Sequence, residues 1–523
     1  MADDLNAIID EHMPALDKPG VLSVRPGFKV KDGWLTDRRS VVVTVRKKLA
    51  TPPAGEALPT EVAGVPVDVR QASPAKREEI EDPAGWAAQL RLSPDVGSVP
   101  HFADERTPAG FRPAAKASAH AQLAKIAKTK LDYSGPAGVT LAAIEAEAKI
   151  SLSASPDTGW ATLKEFLDGT QHSLVVGLYD FTSQHVLDAV KQAAQAKQLT
   201  LVLDHPPKNP TADQTDADTV ADLRAALTDG FDQSWALTRL DRDATAWIYP
   251  TAYHIKVAVR DHTAVWLSSG NWNNSNQPDI NPSDSAADAA SARHGDRDWH
   301  VVIKEPQIAA MFEAYLLHDQ ATAAEHNQPP EQAGPPLTPP GPGTSQTPPF
   351  QEFFPVGAVS AKVKIAPLLT PDPGVYADAV KTLIASAQHT LYMQFQYIEL
   401  PKQTDATSKA FVDLVQAVID RQKKGVDVRI IMSEFETAGY LEQLQSLGLD
   451  VVNGVKLQNN VHNKGIVIDA QAVLVSSQNW STDGTLYNRD AGVIIYDASA
   501  AQYFQQIFLH DWEHLARRQA RSD

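Results

Sequence analysis

The sequence contains no cysteine. That absence excludes disulfides, thiolate zinc sites and thiol nucleophiles. No apolar run approaches the roughly 18–20 residues needed to span a bilayer. The opening stretch, MADDLNAIIDEHMPALDKPG, is acidic and has no basic segment followed by an apolar core. No secretory signal peptide is read there, and a cytoplasmic location is the expectation. Basic residues are in deficit, with 47 Lys and Arg against 64 Asp and Glu, for a formal net charge of −17. A protein that grips nucleic acid along a broad surface carries a basic face, and an acidic protein is repelled at long range by an anionic membrane. A small cationic pocket on an acidic molecule still accommodates a phosphate-bearing substrate. The rest of the composition is that of a globular protein, 43% apolar and 21% charged over 523 residues. That length suffices for two or three domains at roughly 150 residues each.

What is present is an internal repeat. Lys149-Ile-Ser-Leu-Ser-Ala-Ser-Pro-Asp157 matches Lys364-Ile-Ala-Pro-Leu-Leu-Thr-Pro-Asp372, and Thr170 to Tyr179 matches Ala387 to Gln396. Each copy continues into a helix–strand pair, Val186 to Leu203 and Phe411 to Met432, and ends alike at Leu317-His318-Asp319 and Leu509-His510-Asp511. Strands alternating with helices of this length predict an α/β fold, a mixed sheet flanked by helices, built twice in a pseudo-twofold arrangement over 141–326 and 351–523. Residues 327–350 are so rich in proline that they read as an extended linker, a stiff surface connection with Pro-x-x-P content. Residues 1–75 read as a small α+β module with strands at Val21–Val30, Val41–Val45 and Val65–Val69. Its wording, GVLSVRPGFKVKDG…VVVTVRKKL…LPTEVAGVPVDV, resembles a segment found ahead of some bacterial trypsin-like proteases, but no Ser-His-Asp constellation follows it. It is taken as an accessory module, partner unknown, whose removal leaves the chemistry intact. Residues 76–140 read as a connector with a helix near Lys116–Lys130, its lysines a solvated face. The tail Leu515–Arg521 reads as a frayed, solvated helix end.

Two stretches agree at every polar position: His254-x-Lys256-x4-Asp261 with Ser268-Ser269-x-Asn271-Trp272, and His462-x-Lys464-x4-Asp469 with Ser476-Ser477-x-Asn479-Trp480. From His to Lys is two residues, to Asp seven and to Asn seventeen in both, and Arg297-Asp298 and Arg489-Asp490 follow. Residues i and i+2 of a strand share a face, so each His stands beside its Lys. A neutral imidazole is a competent nucleophile toward phosphorus, and a second, protonated one can donate to the leaving oxygen. Two lysines and two asparagines can hold non-bridging oxygens as negative charge shifts. A carboxylate on each imidazole's far nitrogen would fix its tautomer. Each copy supplies half of these parts. The tryptophans, Trp272 and Trp480, read as core packing.

This doubled pattern resembles the phospholipase D superfamily over about 370 residues. The resemblance implies a covalent phosphohistidine intermediate and no metal or other cofactor, with two motifs forming one site. By that likeness His254 is the nucleophile and His462 the general acid and then base. Lys256, Lys464, Asn271 and Asn479 bind phosphate together with Ser269 and Ser477. Asp298 and Asp490 orient histidine, while Asp261 and Asp469 support the fold locally. The sequence departs from the family in carrying Ser268 and Ser476 where glycine is usual, and Asp298 and Asp490 where Glu is frequent. The first half also holds about fifteen extra residues, Gln277 to Arg293. They lack the Gly and terminal Glu of a calcium loop and are expected to shape substrate access. Three functions stay open: hydrolysis or head-group exchange of phospholipids, metal-independent cleavage of DNA or RNA, and a non-catalytic scaffold.

Overall fold

The computed structural model describes residues 2–325 and 352–523, apart from 50, 54, 83–99, 101, 103, 110–127, 131–132, 205–211, 228, 240–244, 248–251, 283–284, 402 and 435–436. The proline-rich 327–350 segment lies outside the described residues. So does the helix expected near Lys116–Lys130, except for its end.

The N-terminal module packs the helix Ala2–Leu16 on strands β1 (Val21–Lys31), β2 (Trp34–Val45), β3 (Glu61–Val62) and β4 (Val65–Gln71). A helix opens the connector at Pro74–Glu81, started by the Ser73 side chain accepting from the Lys76 N–H. Lys128–Lys130, expected as helix, is instead a strand, β5, paired in parallel with a later one. A backbone that can be paired across a sheet edge no longer needs helical hydrogen bonds.

The first half of the repeat contributes β6 (Ile144–Ser155), β7 (Ser173–Leu178), β8 (Gln198–Leu203), β9 (Phe231–Trp235), β10 (Leu237–Arg239), β11 (Thr245–Trp247), β12 (Lys256–Arg260), β13 (Ala264–Ser268) and β14 (Asp298–Lys304). The second contributes β15 (Gly357–Thr370), β16 (Thr390–Phe395), β17 (Asp427–Ser433), β18 (Val455–Gln458), β19 (Lys464–Ile468), β20 (Ala472–Ser476) and β21 (Asp490–Tyr496). β10, β11 and β5 form a small separate sheet; fourteen of the others form one sheet whose order reads the same from either edge. From the middle outward the first half runs β6, β14, β13, β12, β7, β8, β9, and the second runs β15, β21, β20, β19, β16, β17, β18. The halves join where Ile144–Leu152 of β6 pairs antiparallel with Gly357–Ile365 of β15. Only the outer strands of each half are parallel.

Helices cover both faces, so the inner strands KVAVR, AVWLS, KGIVI and AVLVS are buried on both sides and read as near-continuous apolar runs. One face carries a core shared by the halves, where Ile308, Phe312 and Leu316 of the helix Pro306–Ala324 join Phe504, Ile507 and Phe508 of the helix Ala498–His510. The opposite face carries two separate cores, one for each half. Phe28 and Leu35 of the N-terminal module belong to the second of these.

That contact argues against a dispensable appendage. Glu442, fully buried, accepts from Arg25 at 2.8 Å, Arg70 at 2.8 Å and the Phe28 N–H at 2.7 Å. Deleting residues 1–75 would strand this carboxylate in the second half without its cations. The tail corrects a second expectation. Leu515 is buried, Arg517 and Leu457 exchange backbone hydrogen bonds, and Ala520–Arg521 forms β22, paired in parallel with β2. The tail is not a frayed helix end, because the edge of the N-terminal sheet satisfies its backbone groups. Among the described residues, no helix is long and apolar enough to cross a membrane.

Candidate active site

The site is built by two backbone bridges across the join. Tyr253 bridges Arg489 and Arg297 bridges Val461, both in parallel. The Arg489 N–H donates to Ala252 O at 2.8 Å, and the His462 N–H to Arg297 O at 3.1 Å. Each bridge lays the residues before one half's His-x-Lys alongside the Arg-Asp of the other half.

The pairing of acid with imidazole is therefore crossed. His254 Nδ1 donates to Asp490 Oδ1 at 2.8 Å, and His462 Nδ1 to Asp298 Oδ1 at 3.0 Å. Both carboxylates are fully buried. Each is steadied by the motif serine of its own half: Ser269 Oγ donates to Asp298 Oδ1 at 2.7 Å and Ser477 Oγ to Asp490 Oδ1 at 2.5 Å. These hydroxyls in turn accept the Trp299 and Ala491 N–H groups at 3.0 Å. With Nδ1–H committed to a carboxylate, Nε2 is the nitrogen left to do chemistry. Burial pushes Asp298 up, but His462 and Lys464 outweigh it and hold the carboxyl below its ordinary range.

The flanking arginines are what keep the crossing rigid. Arg297 bonds Asp157 at 2.7 Å and, across the join, Asp511 at 2.9 Å and 3.0 Å; all three side chains are fully buried. Arg489 mirrors this with Asp319 of the first half at 2.9 Å and Asp372 at 3.4 Å. The lysines lie at the strand starts, Lys256 opening β12 and Lys464 opening β19, with each histidine just outside. Lys256 Nζ donates to His254 O at 2.6 Å and Lys464 Nζ to His462 O at 2.5 Å. Lys464 Nζ also stands 3.1 Å from both ring nitrogens of His462 and 3.4 Å from Ser269 O in the other half. Asn271 Oδ1 and both side-chain polar atoms of Asn479 are buried with no hydrogen-bond partner among the described residues. Natural proteins rarely leave such groups unsatisfied away from a functional site.

Other motif positions fall where the spacing suggests. Asp261 accepts the N–H groups of Gln171, His172 and Ser173, and Asp469 those of Gln388, His389 and Thr390. Both belong to turns remote from the imidazoles, with positive φ of 51° and 50°. Trp272 packs against Phe181 and Trp266, and Trp480 against Phe395 and Phe411. Both are core residues.

Four residues escaped the sequence reading. The Tyr179 ring lies tilted at 59° with its centroid 5.0 Å from that of His254, where the second half has Gln396. His300 is buried between Ser268 Oγ at 2.6 Å and Ser155 Oγ at 2.8 Å, and burial lowers it to about 4, so it is neutral. Asp296 and Asn276 hydrogen-bond each other at 2.9 Å beside Asn271. The available signal was asymmetry: Asp296 aligns with Asn488, Asn276 with Gly484 and His300 with Gly492. The extra segment beginning at Gln277 forms the helix Ala286–Ala292 and leans on the second half. Ala292 packs with Leu515, and Arg293 O accepts from Asn460 Nδ2 at 2.6 Å.

A family profile described as "Cardiolipin synthase, PLD-like domain" matches residues 380–512. A phospholipase D of Rickettsia felis is 26% identical over 154 residues, covering 28% of this chain and 68% of that protein. The second half of the repeat thus matches a PLD-like domain, in keeping with the likeness that the doubled motif carries. This phospholipase D-like chain is also 24% identical over 105 residues to a mitochondrial cardiolipin hydrolase of Danio rerio, covering 20% of the chain and 46% of the relative. Among solved structures it is similar to a phosphatidylserine synthase of Haemophilus influenzae Rd KW20, with a TM-score of 0.47 and 14% identity over 70% of this chain and 87% of that one. It is also similar to Nuc, a phospholipase D family member from Salmonella typhimurium, with a TM-score of 0.25 and 21% identity over 30% of this chain and 97% of that one.

Proposed function

We propose that the chain is a phosphodiesterase of phospholipase D type that hydrolyses phospholipids, or exchanges their head groups, through a phosphohistidine. The observation that carries this is the crossed pair of buried His–Asp contacts, His254 with Asp490 and His462 with Asp298. Such a pair presents two imidazoles with Nδ1 tied back. In the first step His254 Nε2 attacks phosphorus and the bond to the leaving oxygen breaks as His462 gives that oxygen its proton. In the second, His462 takes a proton from water, the resulting hydroxide displaces His254, and a phosphomonoester leaves. An alcohol in place of water gives the exchanged diester. Lys256, Lys464, Asn271 and Asn479 are the donors for the non-bridging oxygens, whose charge redistributes in the transition state. Asp298 and Asp490 stabilise each imidazolium as it forms.

Phospholipid is favoured over nucleic acid by the curated relatives, phospholipases D and a cardiolipin hydrolase, and by the net charge of −17. The test compares wild-type protein with His254→Asn in EDTA, on phosphatidylcholine vesicles and on single-stranded DNA. Choline release with intact DNA is expected, and is abolished in the variant. Nicked DNA without choline would make the chain a nuclease. No cleavage of either substrate, nor of a chromogenic phosphodiester, would make it a scaffold.

A further inference from the structure

Resting on that phosphodiesterase reading, in which Asn271 and Asn479 hold the phosphate, we propose that the residue five positions after each, Asn276 and Gly484, is a positioning residue that fixes the aim of the motif asparagine. Asn271 Oδ1 and both polar atoms of the Asn479 side chain are buried with no hydrogen-bond partner among the described residues. A side-chain atom that no protein group grips is aimed by its own backbone. In both halves the chain turns back after the motif asparagine, so that the fifth residue reaches that backbone. The turn is closed alike in the two. Asn273 Oδ1 accepts the Asn276 N–H at 2.9 Å, and Ser481 Oγ accepts the Gly484 N–H at 3.1 Å. Short polar side chains commonly hold a backbone N–H three residues on in this way.

The contact that the fifth residue makes differs between the halves. In the first half a buried side chain makes it. Asn276 Oδ1 accepts the Asn271 N–H at 2.8 Å, and Asn276 Nδ2 donates to Asp296 Oδ2 at 2.9 Å. The Asn276 carbonyl in turn accepts from Ser155 Oγ at 2.5 Å, which ties the turn to β6. An amide carries an acceptor and a donor on one planar group, so Asn276 grips the Asn271 backbone with one end and is itself held by the other. In the second half bare backbone makes the contact. A Cβ on Gly484 would lie 2.2 Å from Asn479 O, 3.0 Å from its carbonyl carbon and 3.1 Å from its N. All three are main-chain atoms of the phosphate ligand itself, and the Ser481 N–H holds the same carbonyl at 3.0 Å. Only glycine lets two backbones approach so closely. One asparagine is thus steadied by a hydrogen bond and the other by close packing.

The test is a pair of double-mutant cycles on the full-length protein, read as kcat/KM for bis(4-nitrophenyl) phosphate, with thermal unfolding to show that each variant is folded at the assay temperature. Asn276→Ala is expected to lose about 10-fold or more, because a group misplaced by about 1 Å can cost about 10²-fold. Gly484→Ala should lose at least as much, since the new Cβ forces the Asn479 backbone to move. In an Asn271→Ala background, Asn276→Ala should cost less than about 2-fold further, and so should Gly484→Ala on Asn479→Ala. A residue that acts through another adds nothing once the other is gone, whereas a general packing role would add its full loss. Asn276→Ser, whose shorter side chain stops short of the Asn271 N–H, serves in the first cycle should the alanine variant not fold. Additive losses in a cycle, or wild-type activity in a folded Asn276→Ala or Gly484→Ala, overturn the inference. A Gly484→Ala chain that does not fold would overturn it for the second half, making that glycine a requirement of folding. A wild-type protein inert on the diester would instead end the phosphodiesterase reading beneath it.

Discussion

The two halves of the large sheet place the same polar residues at the same spacing, yet pack them against different surroundings. Trp299 of the first half lies against the second, 4.7 Å from Phe504, and a Cβ on Gly465 would come within 2.3 Å of its ring. The symmetry-related positions carry Ala491 and Val257. A large residue facing a missing one has become a small residue facing a medium one, so volume has been conserved around the join while shape has not. Ion pairing has diverged in the same way. Arg297 and its two carboxylates are sealed off, whereas Asp372, partner of Arg489, keeps 14% of its side chain exposed and shares that carboxylate with Tyr133. The same polar residues are thus held at the same spacing by unequal packing on the two sides of the join.

Four measurements would break or sharpen this comparison. The largest effect is expected from Asp298→Asn and Asp490→Asn, each lowering kcat by about 10²–10⁴-fold, since an amide oxygen cannot stabilise an imidazolium as a carboxylate does. A loss confined to one of the two would mean that only one crossed pair serves the chemistry. Next come Arg297→Met and Arg489→Met. Leaving buried carboxylates without their cation costs about 3–5 kcal/mol, and chemical denaturation should show the larger loss for Arg297. Equal losses would mean that the exposure of Asp372 is of no consequence.

A third test concerns the second half, which docks the N-terminal module. Burial pushes Glu442 up, but Arg25 and Arg70 outweigh it and bring the carboxyl down to about 2 from an ordinary 4.5. The folded state therefore binds the proton less readily than the unfolded state. The stabilisation is fully present above about pH 5 and is lost as pH falls through the interval down to about 2; its size is roughly 3 kcal/mol. The gap in unfolding midpoint between wild type and Glu442→Gln should be smaller at pH 3 than at pH 7. An equal gap at both pH values would count against the linkage. The smallest effect is expected from Gly465→Ala, where the Trp299 ring must shift at a cost of about 1–3 kcal/mol. Thermal unfolding of this variant beside Val257→Ala would show whether the two sides of the join are as differently packed as they look.

Much of the site was legible because its residues are tied together by short covalent spacing. His-x-Lys, the Asp seven positions on and the Asn seventeen on were all readable, and Asp261 and Asp469 serve their turns as their place after the strand suggests. The repeat itself foretold two matching sets of strands. Less could be read where a residue's partner comes from elsewhere in the chain. Lys128–Lys130 is strand because a distant segment pairs with it. The tail is ordered because the N-terminal sheet offers β22 an edge. Asp296 and Asn276 went unnoticed because a repeat draws attention to what matches, and these positions differ between the halves.

The chain's own order of residues determined the motif residues and their duplication, since backbone geometry puts positions i and i+2 of a strand on one face whatever surrounds them. Tertiary structure alone decided which carboxylate serves which imidazole. The bonded pairs are 236 and 164 residues apart, and they are joined by two backbone bridges across the middle of the sheet. No local propensity encodes that choice; it follows from how the two halves meet, with buried arginines tying each half to acids of the other.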